Sequence, residues 1–419
     1  MLPSCARAAT FNFATRMKQI FVIGMSDISQ PEFSLEVRRL VASGSVFSGG
    51  KRHREIVQSL LPDGARWVDI TVPLSDVFNT YRKFFSEGVE SIIVFASGDP
   101  LFYGMASTLR REMADVNLHT YPYFHSLQLL AHRLSLPYQG LRPVSLTGRP
   151  WQEFDRALIE RSALIGVLTD SRLHTPSLIA QRMLDYGYSS YRMHLGERLG
   201  NETLERVRSL SLSEAAALDA QSPNCLILEA DALPPRPFGI PDDAFLTLEG
   251  RPGMITKMPI RLLSLQAMEL SARRVLWDVG FCTGSVSIEA RLLFPHLAVV
   301  AFEVREEGRQ LMEQNAHRHG ALGITSIIGN FLDLDCHSLP RPDVAFLGGY
   351  GGRMAEVLSK LRQFLLPGGT VVFNAVSPES EQLFLSCASA LGFKPELSRH
   401  VAIDQYHPIT ILKCTCPSS

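Results

Sequence analysis

The sequence lacks paired cysteine motifs, long hydrophobic runs and an excess of either charge. Its seven cysteines are odd in number and scattered, with no C-x-x-C element, which argues against a zinc site and for a reducing compartment. The apolar runs have the length of strands and are too short to cross a bilayer. Forty-one basic against 42 acidic residues leave a net charge of -1, which favours neither nucleic acid nor an anionic membrane as partner. We therefore expect a cytoplasmic protein that binds neither.

The length and the proline distribution predict two domains. A chain of 419 residues exceeds what one hydrophobic core usually serves. Four prolines fall within residues 234–241, a density that no helix interior tolerates and that is typical of a stiff connector. We predict domains at 18–231 and 246–419, joined by a proline-rich linker at 232–245. Residues 1–17 have no sustained apolar core, unlike a secretory signal, and we expect a disordered extension there.

The spacing of apolar residues predicts an α/β fold in both halves. In the first half, short apolar runs alternate with segments of helical period, which indicates parallel strands with crossover helices. The strands predicted there are 20–24, 45–48, 67–71, 91–96, 164–168 and 225–229, and the helices are 36–43, 54–61, 77–87, 104–113, 126–134 and 176–186. In the second half, the predicted strands are 275–279, 297–302, 325–328, 343–347 and 370–374, with a closing pair at 396–403 and 409–414.

The most informative segment is a glycine-bounded turn after the apolar run Val275–Val279. The turn Gly280-Phe281-Cys282-Thr283-Gly284 leads into a helix, and the next apolar run ends in Glu303, 23 residues after Gly280. An acid at about this distance accepts hydrogen bonds from ribose hydroxyls in nucleotide-binding α/β folds. The turn lacks the three-glycine spacing that seats a pyrophosphate. An adenosine cofactor without phosphate, S-adenosylmethionine, therefore fits better than a dinucleotide.

Other polar and glycine-rich segments fall at predicted strand ends of the second half. Asn330 and Phe331 follow the third strand and could address an adenine, and Gly348–Arg353 follows the fourth. A flexible loop is the alternative explanation of so many glycines, but ligands of open α/β sheets bind at the carboxyl ends of strands, so we expect this loop to face the substrate. Lys257, Arg261 and Arg353 could orient substrate carboxylates; surface solubility explains them equally well.

In the first half, Gly98-Asp99-Pro100-Leu101 follows a strand. Alone this sequence is an ordinary turn. Together with Lys51–His53, Ser126 and Thr169-Asp170 at other strand or helix ends, it predicts a cleft.

These motifs resemble two known families. The first half resembles the tetrapyrrole methylases of corrin synthesis, whose hallmark is the Gly-Asp-Pro loop after a strand, here Ser97–Leu101. The second half resembles class I methyltransferases that methylate and decarboxylate precorrin-6B, through the segments 254–257, 277–280, 283–289 and 348–352. In this order, the pair is similar to the family of bifunctional, decarboxylating precorrin C5,15-methyltransferases of cobalamin biosynthesis.

The resemblance implies a tetrapyrrole methylase-type α/β domain followed by a Rossmann-like class I methyltransferase domain, each binding one S-adenosylmethionine. The implied cofactor contacts are Gly98, Asp99, Pro100, Leu101 and Ser126 in the first domain, and Thr256, Gly280, Phe281, Cys282, Thr283, Gly284, Glu303, Asn330 and Phe331 in the second. The substrate would be a precorrin or cobalt-precorrin, methylated at carbon 5 by the first domain. The second domain would methylate carbon 15 and release the ring C acetate carboxylate as carbon dioxide.

Two other classes of protein stay open. A nicotinamide-dependent oxidoreductase would also use a glycine turn and Glu303, and a non-catalytic tetrapyrrole carrier would bind pigment without consuming a methyl donor. We expect no metal site, and a homo-oligomer such as an isologous dimer is a reasonable expectation.

Overall fold

The structure is a computed structural model that describes residues 18–28, 30–233, 235–403 and 407–417. The extension predicted at 1–17 lies outside these residues, as does Pro234 of the predicted linker. The described part of the chain forms three sheets, and none of its helices is long and apolar enough to cross a membrane.

The first sheet contains five strands in the order β3-β2-β4-β1-β5, and all four pairings are parallel. Its strands are β1 (Gln19–Met25), β2 (Val46–Gly49), β3 (Arg66–Asp69), β4 (Ser91–Ser97) and β5 (Asn117–Tyr121). The helices of this region are α1 (Leu35–Ser43), α2 (Lys51–Val57), α3 (Leu74–Ser86), α4 (Met105–Glu112) and α5 (Ser126–Leu134). Apolar side chains alternate between the two faces of each strand, so one core contains Ile20 and Val94 while the other contains Ile23 and Phe95.

The second sheet has the order β6-β7-β10-β8-β9. Its strands are β6 (Arg142–Ser145), β7 (Leu164–Leu168), β8 (Tyr191–Glu197), β9 (Arg206–Ser211) and β10 (Asn224–Ala230). Three helices accompany it: α6 (Gln152–Ile159), α7 (Pro176–Asp185) and α8 (Leu212–Ala216).

The third sheet has seven strands in the order β13-β12-β11-β14-β15-β17-β16. The strands are β11 (Val275–Val279), β12 (Ala298–Glu303), β13 (Ile324–Ile328), β14 (Val344–Leu347), β15 (Thr370–Ala375), β16 (Lys394–Val401) and β17 (Ile409–Thr415). The helices are α9 (Met258–Met268), α10 (Ser285–Leu293), α11 (Glu307–His319), α12 (Met354–Phe364) and α13 (Pro378–Ala390). β17 runs antiparallel to both of its neighbours, β15 and β16, and the β16–β17 contact confirms the predicted closing pair. The strand order reverses between β11 and β14, and ligands of open α/β sheets bind at such a switch point.

Trp277 on β11 anchors the larger core of this sheet. Its side chain is fully buried, its indole N–H donates to the carbonyl of Pro340 at 3.0 Å, and its ring contacts Phe302 and Phe364. Burial on both faces is typical of central parallel strands. It explains why β11 and β12 are nearly continuous apolar runs.

The described chain divides into two compact units. The first takes residues up to Gln139 with His194–Ser209 and Ala220–Ile227; the second takes Gly140–Met193, Leu210–Asp219 and the chain from Leu228. Neither unit has the predicted bounds 18–231 and 246–419, so that two-domain division stays a prediction.

Within the second unit, residues 140–193 contact the C-terminal segment through buried polar groups. The hydroxyl of Tyr188 donates to the carbonyl of Gly320 at 2.8 Å. Asp155, 2% exposed, accepts from Nε and Nη2 of Arg182 at 2.8 and 2.7 Å. A β-carbon on Gly323 would lie 3.1 Å from Oδ2 of Asp155, which is closer than an ordinary van der Waals contact. These two parts of the chain therefore share one packed interior.

Candidate functional site

A cavity of about 380 Å³ lies at the carboxyl ends of β11 to β14, at the switch point of the third sheet. The described strand-end loops supply most of its lining, and Met254 comes from the segment before α9. The lining residues are Met254, Val279, Gly280, Cys282, Phe302, Glu303, Val304, Arg305, Gly329, Asn330, Phe331, Leu332, Gly348, Gly349, Tyr350, Gly351, Arg353 and Val357. The site predicted at this edge of the sheet therefore contains a cavity of ligand size.

Gly280 lets the loops after β11 and β14 approach each other closely. Its φ is +81°, a left-handed conformation that costs little only for glycine. A β-carbon there would lie 2.6 Å from the amide nitrogen of Gly349. The amides of Gly348 and Gly349 both donate to the carbonyl of Val279, at 2.8 and 3.2 Å. This backbone-to-backbone contact forms one wall of the cavity.

Glu303 is buried, with 3% of its surface exposed, and its carboxylate is fixed by backbone amides. Oε1 accepts from the amides of Val304 and Arg305 at 2.9 and 3.1 Å, and Oε2 accepts from the amide of Cys282 at 2.9 Å. A carboxylate oxygen has lone pairs for about two hydrogen bonds, and Oε2 accepts one from the described residues. Oε2 therefore keeps accepting capacity for a hydroxyl in the cavity that Glu303 lines, as a ribose-binding acid requires.

Asp278 lies beneath the loop and is fully buried. Oδ2 accepts from the hydroxyl of Ser287 at 2.6 Å, while Oδ1 has no hydrogen-bond partner among the described residues. Burial, with the charge of Glu303 as a smaller cause, raises the pKa of Asp278 to about 7 against the hydrogen bond from Ser287. The hydroxyl oxygen of Thr283 is likewise buried without a partner in the described chain. Two polar atoms at the turn 280–284 therefore have no hydrogen-bond partner among the described residues.

The loop after β13 holds Asn330 and Phe331 against the cavity. Lys360 on α12 donates to the carbonyls of Phe331, Leu332 and Leu334 at 2.6, 3.2 and 2.5 Å. Its ammonium also lies 5.1 Å from the centre of the Phe331 ring, within range of a cation–π interaction. One side chain therefore holds this loop at three of its carbonyl groups. Sequence reasoning missed Lys360, because nothing near it in the chain signals a partner 26 to 29 residues away.

Replacing Lys360 by methionine should weaken cofactor binding at this cavity about ten-fold, because three loop carbonyls lose a charged donor and the wall around Phe331 loosens. The measurement is calorimetric titration with S-adenosylhomocysteine. Lys360→Arg should restore part of the affinity, whereas Lys394→Met on the exposed start of β16 serves as a control. Unchanged affinity in Lys360→Met would show that the loop is held without this side chain.

The structure separates the remaining predicted contacts into two groups. Gly280, Cys282, Glu303, Asn330 and Phe331 line the cavity. The other four, which are Thr256, Phe281, Thr283 and Gly284, are not among its lining residues. Phe281 is 4% exposed, and its cofactor contact stays a prediction.

The three basic side chains predicted to orient substrate differ in their exposure and in their partners. Arg353 immediately precedes α12, lines the cavity and pairs with Glu356 in the first turn of that helix. Lys257 is 28% exposed, with Nζ 3.8 Å from Asp242. Arg261 is fully buried: Nε donates to Glu289 at 2.5 Å, Nη1 to the carbonyl of Thr256 at 2.7 Å, and Nη2 to the carbonyl of Ile240. Arg261 therefore holds the segment before α9, and a substrate contact is replaced by this structural role.

In the first unit, the structure brings the Gly-Asp-Pro loop to the start of α5. The amide of Gly98 donates to the carbonyl of Met25, and Oδ1 of Asp99 accepts from the amide of Leu101, both at 2.8 Å. A β-carbon on Gly98 would lie 2.9 Å from Cα of His125, immediately before Ser126. Pro100 is buried, and Leu101 is 54% exposed. The predicted contacts of this unit are therefore neighbours, with Leu101 free to meet a ligand.

Of the accessory positions, Asp170 is used within its own loop. It accepts from the amides of Arg172, Leu173 and His174 and from Nδ1 of His174. These hydrogen bonds within the loop account for an aspartate at this position without a ligand.

Comparison with known proteins finds a family model, curated relatives and a solved structure that are similar to this chain. The precorrin methyltransferase domain family matches residues 249–417. A precorrin-6Y C(5,15)-methyltransferase [decarboxylating] from a Sinorhizobium species is 30% identical over 376 residues, which cover 88% of each chain. The cobalt-precorrin-6B C(15)-methyltransferase (decarboxylating) of Salmonella typhimurium is 33% identical over 151 residues, 36% of this chain and 76% of that one. A crystal structure of precorrin-6y C5,15-methyltransferase from Geobacter metallireducens is 28% identical and covers 42% of this chain and 96% of that chain, with a TM-score of 0.39.

Proposed function

Because the chain belongs to the family of decarboxylating precorrin-6Y C5,15-methyltransferases, we propose that it methylates a precorrin macrocycle at carbons 5 and 15 and removes the ring C acetate carboxylate, in cobalamin biosynthesis. It is an S-adenosylmethionine-dependent C-methyltransferase. The observation that carries the site assignment is the cavity at the switch point of the third sheet, with Glu303 on its wall.

The residues of that cavity fit the nucleoside end of S-adenosylmethionine. Glu303 offers a fixed carboxylate oxygen to ribose hydroxyls, and Asn330 and Phe331 offer an amide and an aromatic face to adenine. The close contact between Gly280 and Gly349 leaves backbone, and no side chains, along one wall. When bound, the cofactor supplies an activated methyl group on sulfur. We propose the same cofactor for Gly98–Leu101 and Ser126 in the first unit.

The chain's own contribution is chiefly alignment. Methyl transfer from a sulfonium is an in-line displacement, and correct positioning of the reacting atoms can lower such a barrier by roughly 7 to 11 kcal/mol. The bridge carbons of a reduced corrin precursor are electron-rich enough to attack without a dedicated base. This agrees with a site built from binding loops. We propose that Arg353 and Lys257 orient carboxylates of the macrocycle during decarboxylation, for which the macrocycle itself acts as the electron sink.

The test is mass spectrometry of the product after incubation with a precorrin-6 substrate and labelled methyl donor. The wild-type chain should add two methyl groups and release one carboxylate. Arg353→Ala should reduce methylation at carbon 15 and decarboxylation about ten-fold, because one charged hydrogen bond to substrate is lost, and should spare carbon 5.

Arg399→Ala is the matched control, since this arginine donates to Gln266 and does not line the cavity. Equal loss at both carbons in Arg353→Ala would contradict the assignment. A chain that binds NADH and transfers no methyl group would instead indicate an oxidoreductase, and one that binds pigment without forming S-adenosylhomocysteine would indicate a carrier. A homo-oligomeric state stays a prediction.

A further inference from the structure

A cluster of charged and polar side chains lies at the carboxyl end of the first sheet, beside the Gly-Asp-Pro loop. It consists of Asp27 after β1, Arg52 and His53 on α2, Ser97 at the end of β4, and Arg198 after β8, and we call it the Arg52–Arg198 cluster. The strands β2, β4 and β1 are neighbours, so their ends meet at one edge. All five residues belong to the first compact unit.

The cluster carries a net positive charge. Asp27 is 7% exposed; its Oδ1 forms an ion pair with Nε of Arg52, and its Oδ2 accepts a hydrogen bond from Nε of Arg198, each at 3.0 Å. Burial, and to a smaller degree the charge of Arg52, lowers the pKa of His53 to about 4, although Asp27 opposes this. Its ring is therefore neutral near pH 7. Two guanidinium groups then face one carboxylate, which leaves one positive charge uncompensated within the cluster.

Both guanidinium groups keep donors for a ligand. Arg52 uses Nε for Asp27 and Nη2 for Ser97, and Arg198 uses Nε for Asp27. Each guanidinium has five N–H donors, whose planar arrangement matches a carboxylate. The side chains are 34% and 25% exposed. The remaining donors can therefore meet a ligand at the surface.

Ser97 adds a third donor, and its partners fix its orientation. Nδ1 of His53 accepts from the amide of Gly50 at 3.2 Å, so the neutral ring carries its proton on Nε2 and donates to the hydroxyl oxygen of Ser97 at 2.9 Å. Nη2 of Arg52 donates to the same oxygen at 3.3 Å. With two donors on its oxygen, the exposed hydroxyl directs its own proton to an outside acceptor.

Arg198 is held in a strained conformation. Its φ is +49°, which is uncommon for a residue with a β-carbon. Its amide donates to the carbonyl of Pro223 at 2.9 Å, which fixes this backbone. Strain that the fold maintains around a polar cluster supports a functional explanation of the cluster.

We propose that Arg52, Arg198 and Ser97 bind one peripheral carboxylate of the macrocycle and so position carbon 5 for methylation by the first unit. This rests on the proposed function. The same donors suit the amino acid carboxylate of the methyl donor, so the shared chemistry is a carboxylate and the experiment separates the two sources. Three donor side chains with one uncompensated positive charge match a carboxylate better than a neutral ligand.

The experiment uses the full chain with Arg198→Gln and Ser97→Ala. Ser97→Ala leaves both ion pairs of the buried Asp27 in place, so it tests the site even if the arginine variant folds poorly. In both variants the KM for the macrocycle at carbon 5 should rise, by about ten- to a hundred-fold for Arg198→Gln and about ten-fold for Ser97→Ala. Methylation at carbon 15 and affinity for S-adenosylhomocysteine should stay within about two-fold of wild type.

Arg111→Gln is the control, because this arginine is 72% exposed and pairs with its neighbour Glu112. If the wild type is active and both variants keep its KM for the macrocycle, the proposed carboxylate site is overturned while the proposed function stands. A fall in affinity for S-adenosylhomocysteine, with macrocycle KM unchanged, assigns the cluster to the methyl donor and also overturns it. A wild-type chain inactive at carbon 5 overturns the proposed function together with this inference.

Discussion

Gly280→Ala should reduce the affinity of the second unit for S-adenosylmethionine by at least about a hundred-fold. A β-carbon at this position would lie 2.6 Å from the amide nitrogen and 3.0 Å from Cα of Gly349, both backbone atoms that no rotamer change can move. The positive φ adds about 1 to 2 kcal/mol of strain for any residue with a β-carbon. The loops after β11 and β14 must therefore separate, and the cavity wall between them opens. Calorimetric titration with S-adenosylhomocysteine measures the loss.

Gly351→Ala provides the matched control. Gly351 also has a positive φ, +55°, and lines the same cavity, yet a β-carbon there would meet no atom within 4 Å. This variant isolates the backbone strain from the steric clash, and its affinity should fall by no more than about ten-fold. Methylation at carbon 5 should be unaffected in both. Equal losses in the two variants would show that strain, and not the contact with Gly349, limits binding.

The free energy of unfolding of the second unit should decrease between about pH 5 and about pH 8. The pKa of Asp278 rises from 3.8 to about 7 on folding, chiefly through burial. The folded state therefore retains a proton that the unfolded state has released. The resulting stabilisation is complete below about pH 4 and is lost as the pH rises through 7. At about 1.4 kcal/mol per pKa unit, the loss over this interval is about 2 to 3 kcal/mol.

Asp278→Asn removes the titrating group, so its unfolding free energy should lack this decrease. Urea denaturation followed by tryptophan fluorescence, repeated across the pH range without ligand, measures the difference between the two proteins. The comparison uses the change of the unfolding free energy with pH. A pH-independent destabilisation caused by the asparagine amide therefore does not affect it. Parallel slopes in Asp278→Asn and wild type would mean that Asp278 ionises at its ordinary pKa in the folded protein.

The sequence predicted the central strands well because they are buried on both faces. β1, β4, β7, β10 and β11 are short apolar runs, and each prediction for them is confirmed within one residue at either end. The strands β5, β6, β8 and β9 were missed. β8 contains the buried residues His194 and Glu197, which hydrogen-bond to Ser209 and Arg208 of β9. A polar residue with a distant partner interrupts the apolar pattern, and the sequence alone does not reveal that partner.

Partners that are distant in the sequence also limit what can be predicted of the site. Gly280 and Glu303 were predictable because a strand-end turn and a strand-end acid have a fixed spacing in this type of fold. The local sequence of Arg261 suggested a substrate contact, whereas its partners Glu289 and Ile240 lie 28 and 21 residues away. Lys360 and the Arg52–Arg198 cluster likewise depend on contacts between separate elements. Local patterns therefore identified the loops, and only the tertiary structure identified the side chains that hold them.

The hydrogen bond between Tyr188 and Gly320 and the close approach of Asp155 to Gly323 determine which segments should unfold together. Residues 140–193 share buried hydrogen bonds and packing with the C-terminal segment, and segments that share an interior tend to open together. Partial denaturation should therefore melt 140–193 along with the seven-stranded sheet. The border of cooperative melting then falls within the methylase-like half of the chain, well before the proline-rich connector.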